Sequence, residues 1–62
     1  MNPWYLAWVR ATGGGPNHEY MFWIQARWKE FLAAHDYPDR HRRQYASQLT
    51  EWLDEKYPEA AA

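Results

Sequence analysis

The chain contains no cysteine, which excludes a disulfide scaffold, a thiolate metal site and a cysteine nucleophile. Glycine is scarce and confined to one place, Gly13-Gly14-Gly15. That run lacks the lysine and Ser/Thr of a phosphate-binding loop, so it reads as a flexible connection. No sign of charge dominates: seven Lys and Arg against eight Asp and Glu give a formal net charge of −1. Such a balance argues against nucleic acid as the default partner. Apolar runs such as Tyr20–Ile24 are short, far below the about 20 residues that a membrane-spanning helix needs. No Lys or Arg precedes Arg10, and no small-residue cleavage site follows an apolar stretch. The expectation is therefore no signal peptide, no membrane association and a cytoplasmic location.

Aromatic residues, in contrast, are abundant. Twelve of the 62 residues are Trp, Tyr or Phe, and each ring can remove about 150–250 Å² from water. A chain of this length is one small domain, residues 1–62, and a folded 60-mer buries only about 60% of its extended surface. Stability is marginal at that size, so self-association or a partner is an expected remedy. The interior is too small to hide all twelve rings, and Trp and Tyr left at a surface are enriched at protein interfaces.

Two breaks divide the chain into three segments, Thr12-Gly13-Gly14-Gly15-Pro16 and Asp36-Tyr37-Pro38-Asp39. In the middle segment Met21, Ile24, Trp28, Phe31, Leu32 and His35 recur on one helical face, which predicts a helix over 17–35. In the third, Tyr45, Ala46, Leu49, Trp52 and Leu53 form a stripe, with the stems of Arg42 and Lys56 extending it. Pro38 suits a first turn and Pro58 a stop, so a helix is expected over 38–57 and a frayed tail over 58–62. The first segment fits two patterns. As a helix over 3–11 it starts at Asn2-Pro3, ends at Gly13 and places Trp4, Ala7, Trp8 and Ala11 together. As a strand, residues 4–11 would pair with 19–25 in an N-terminal β-hairpin ahead of two helices. The helical pattern is the better fit, and the fold class expected is all-α, a small three-helix domain.

Certain residues do not fit the expected core. Phe22 and Trp23 point to the back of a helix built around Trp28. Either the N-terminal segment folds over them, with Trp4 or Trp8 stacked on Phe22, or these four rings serve as anchors for a partner. Arg40, His41, Arg42 and Arg43 crowd the start of the third helix, while Glu51, Asp54 and Glu55 crowd its end, the reverse of what the helix macrodipole favours. A solvated face with local ion pairs is the plain account. Two others compete with it. Arg40 and Asp54, and likewise Arg43 and Glu51, are equidistant from Ser47, so an antiparallel homodimer crossing at Ser47 would pair each arginine with an acid. Alternatively, Arg40, Arg42 and Arg43 contact nucleic-acid phosphates.

His18, His35 and His41 show no regular spacing with acids on one face, so no metal site is expected, and no cofactor. No serine–histidine–acid constellation can be placed, and an enzyme is not expected. The leading expectation is a small α-helical protein–protein interaction module, itself a homodimer, that binds a larger protein through the rings of Phe22, Trp23, Trp4 and Trp8. Size alone matches phage or bacterial accessory proteins that inhibit or regulate a larger partner. A small nucleic-acid-binding regulator is the alternative.

Overall fold

The computed structural model describes residues 2–59. It contains α1 (Pro3–Thr12), α2 (Asn17–His35), a 3-10 helix (Asp39–Tyr45) and α3 (Ala46–Lys56), with no strand among the described residues. The N-terminal segment is a helix, and the β-hairpin alternative is not supported. Of the tail expected over 58–62, Pro58 and Glu59 are irregular and exposed, and residues 60–62 lie outside the described residues.

Local chemistry decides α1. The Asn2 side-chain oxygen accepts the Trp4 N–H at 2.8 Å, and Pro3 opens the helix where its missing N–H leaves nothing unsatisfied. Gly13 ends it in the left-handed region at φ 86°, its N–H donating to Val9 O at 2.8 Å. In α2 the Pro16 N-cap offers no side-chain bond. The C-terminus is a Schellman turn: Asp36 adopts φ 57°, and Tyr37 N–H reaches back to Leu32 O at 3.0 Å. Asp36 is the one described non-glycine residue with positive φ.

The helix expected over 38–57 is two elements. Residues 39–45 wind as a 3-10 helix with His41 outside helical geometry at φ −113°, ψ 19°, and α3 begins only at Ala46. The sequence explains the difference. Between Pro38 and Tyr45 there is no apolar side chain to bury, so no packing face holds this stretch to 3.6 residues per turn. Tyr37 and Tyr45 meanwhile stack face to face, centroids 4.0 Å apart and planes 7° from parallel. A straight α-helix would separate those residues by about 12 Å along its axis. The kink at His41 brings them together.

The three α-helices bury Ala7, Ile24, Trp28, Phe31, Leu32, Leu49 and Leu53 in one core, and no polar residue is buried among the described residues. Trp28 sits where the elements meet, edge-on to Trp4 of α1 at 5.6 Å and to Phe31 at 6.0 Å. Trp8 is also buried, but at the N-terminal end, among Tyr5 and Tyr20 at 5.2 and 5.5 Å. Met21, expected on the buried stripe, is instead exposed. At that end of α2 the ring-bearing side of α1 lies against Tyr20, and Met21 is left on the open flank.

Two outcomes follow for stability. Trp28→Ala removes the central ring and should cost about 3–5 kcal/mol, enough to abolish the cooperative thermal transition read by circular dichroism. Asp36→Gly relieves a left-handed backbone at the expense of unfolded-state entropy. A net gain of about 0.5–1 kcal/mol is expected, seen as a rise of a few degrees in Tm, and a fall would show that the Asp36 side chain supports the turn.

Candidate interaction surface

The four rings singled out from sequence occupy four different environments. Trp8 is only 2% exposed, so it is a core residue and has no face to offer a partner. Trp4 is half-buried: its ring abuts Trp28 and its indole N–H donates to Thr50 Oγ1 at 2.8 Å. Thr50 in turn donates to Ala46 O at 3.1 Å, which ties α1 to α3. Trp23 is half-buried as well, and the element that covers it is not the N-terminal segment. Tyr57, just past α3, lies against it at 5.5 Å, with the Arg27 guanidinium 5.4 Å from the ring centre.

A charged chain closes the same side. Arg27 Nε lies 3.2 Å from Glu30, and Glu30 also binds Lys56, whose ammonium sits over Trp52. Phe22 is the exception. It is 72% exposed and is stacked on neither Trp4 nor Trp8, so the second core closed by those rings does not form. Eleven of the twelve aromatic side chains are buried or half-buried, and Phe22 alone is exposed. Met21 beside it is 52% exposed.

The rings that escape enclosure by helices are covered by one another. Tyr5, Trp8 and Tyr20 form one such group, and His35, Tyr37 and Tyr45 form a stacked ladder. His35 Nδ1 lies 2.9 Å from Phe31 O, which fixes the ring at the end of α2. Desolvation raises the pKa of the Tyr20 hydroxyl.

The residues proposed for self-pairing are not brought into the required register. That pairing needs one continuous α-helix from Arg40 to Asp54, whereas Arg40 and Arg43 lie in the kinked 3-10 segment and Ser47, Glu51 and Asp54 in α3. Asp54 is already engaged, accepting from Arg10 Nη2 at 3.1 Å, while Arg10 Nε donates to Tyr57 O at 2.6 Å. Ser47 lines an open hollow of about 290 Å³ beside Asn2, Pro3 and Trp4.

A second hollow of about 260 Å³ lies between α2 and the 3-10 helix, lined by Gln25, Lys29, Leu32, Asp39 and Arg42. Gln25 and Lys29 carried no signal in the sequence, because the hollow exists only through the kink that folds Arg42 toward α2. Met21, placed in the core by its spacing, belongs instead to the exposed flank. Among the described residues no group of three or more His, Asp or Glu could hold a metal ion, and no helix is long and apolar enough to cross a membrane. No protein-family model, curated protein or solved structure matches the chain.

The environments of Trp8 and Trp4 give separable outcomes in urea unfolding. Trp8→Ala should cost about 3–5 kcal/mol. Trp4→Phe keeps the ring against Trp28 and loses one partly buried hydrogen bond, so about 1 kcal/mol is expected. A loss at Trp4→Phe as large as that at Trp8→Ala would show that the Trp4 indole is held by more than its hydrogen bond to Thr50.

Proposed function

We propose that the chain is a protein–protein interaction module that docks on a larger partner through the outer flank of the first half of α2. Phe22 is the anchor and Met21 its neighbour. The observation that carries the reading is the solitary exposure of Phe22 in a chain that covers every other aromatic ring. Leaving such a side chain in water forgoes about 1.5–3 kcal/mol of burial, a large loss for a domain of this size. Aromatic side chains that fill a partner's pocket typically dominate binding energy. Trp23 lies on the other side of α2, where Tyr57 and Arg27 already hold its ring. Trp4 belongs to the α1–α3 contact, and Trp8 takes no part.

Phe22→Ala tests the reading. The substitution should shift Tm by no more than a few degrees, as exposed positions change stability by about ±0.5 kcal/mol. It should also remove the partner captured by the wild-type chain from the source cell's lysate, quantified by mass spectrometry against the variant. An unchanged set of captured proteins, or a large fall in Tm, would overturn the assignment.

A further inference from the structure

Seven cations are present, and they divide into two groups. Arg10, Arg27 and Lys56 are paired with Asp54 or Glu30. Lys29, Arg40, Arg42 and Arg43 have no acidic partner within 4.0 Å among the described residues. The unpaired four share one region: Arg40, Arg42 and Arg43 lie in the 3-10 helix, and Lys29 lines the same hollow as Arg42.

Arg42 is held there without committing its donors. Its guanidinium lies 5.8 Å from the centre of the Trp28 ring, an attraction of the cation to the ring face. Trp28 is itself fixed by Trp4 and Phe31. The Arg42 N–H groups make no hydrogen bond among the described residues. The result is a guanidinium fixed on an aromatic face, with no protein partner for its N–H groups among the described residues, beside a hollow of about 260 Å³ whose lining also includes the exposed Lys29 and Gln25.

We propose that this cleft between α2 and the 3-10 helix binds the phosphate group of a hydroxyl-bearing phosphate ester, through Arg42 and Lys29 with Gln25 as a further donor. A carboxylate is satisfied by one arginine fork, whereas cations from two different elements suit an oxyanion with three or more acceptor oxygens. Asp39 lines the same hollow, and its carboxylate opposes an anion unless it accepts a hydrogen bond from the ligand. A hydroxyl beside the phosphate meets that condition. The ester can be a small phosphorylated molecule or a nucleic-acid strand, and Arg40 and Arg43, exposed outside the hollow, are placed to meet neighbouring phosphates of a strand. Gln25 and Lys29 follow Phe22 one and two turns along α2, but the proposed phosphate binding does not depend on the role proposed for Phe22.

The test is titration of the ¹⁵N-labelled full chain at low ionic strength with ribose 5-phosphate and, separately, with a single-stranded oligoribonucleotide. Sodium chloride at matched ionic strength is the control. Saturable shifts at the amides of residues 39–43, Gln25 and Lys29 are expected. Lys29→Gln and Arg42→Gln should each weaken binding about tenfold. Lys29 is exposed, so Lys29→Gln decides the matter if Arg42→Gln, which loses the Trp28 contact, does not fold.

Binding of ribose 5-phosphate that is indifferent to Arg40→Gln with Arg43→Gln supports the cleft and assigns a small ester. Tighter oligonucleotide binding, weakened by that pair and falling steeply with salt, supports the cleft and assigns a strand. Shifts no larger than those in sodium chloride with either probe, or an affinity unchanged by Lys29→Gln, would overturn the proposal.

Discussion

Trp28 is the point through which the elements of this small bundle are joined. It supplies the buried face of α2, receives the edge of Trp4 from α1, meets Phe31 one turn on and lies beneath the Arg42 guanidinium of the 3-10 helix. Phe31 passes the contact to Trp52 of α3 at 5.7 Å. A chain of 62 residues cannot surround many rings with aliphatic side chains. Edge-to-face contacts between the rings solve this, since each adds about 0.5–1.5 kcal/mol beyond the area it removes from water. The aromatic content that looks excessive in the sequence is therefore the packing material of the domain.

The helices were legible where local chemistry and periodicity agreed. Asn2-Pro3 and Gly13 mark α1, and the spacing of Ile24, Trp28, Phe31 and Leu32 marks the inner face of α2. The break in the third helix was present in the sequence only as an absence of apolar residues from Asp39 to Gln44, and proline at 38 with leucine spacing further on suggested continuity. The candidate surface divided in the same way. The outward position of Phe22 follows from the helical period around Trp28. That Tyr57 would cover Trp23, and that nothing would cover Phe22, depends on where the end of α3 falls, which no periodicity states. Trp8 lies one turn on from Trp4 in a stripe that also takes in Ala7, and that stripe is the inner side of α1.

The charges that oppose the macrodipole in a continuous third helix have a physical resolution. The arginines at 40, 42 and 43 lie before α3 begins, in a segment too short and too kinked to carry an aligned dipole. The acids near the end of α3 are partly offset, Asp54 by Arg10 and the last turn by Lys56. Ion pairs thus join α3 to α1 through Arg10 and Asp54 and to α2 through Lys56 and Glu30, while Arg40, Arg42 and Arg43 of the 3-10 helix make none among the described residues.

The way α1 is attached carries a kinetic consequence. Contacts among α2, the 3-10 helix and α3 are made by chain segments that follow one another directly, so they close short loops. The Trp4–Thr50 hydrogen bond joins residues 46 apart, and the Arg10 bond to the Tyr57 carbonyl joins residues 47 apart. Loop-closure entropy rises with the logarithm of the span, and a three-helix chain of low contact order folds quickly through its local pairs. Pairs of consecutive helices, α1 with α2 through Trp8 and Tyr20 and α2 with α3 through Phe31 and Trp52, are therefore expected to form before the α1–α3 bonds that close the bundle.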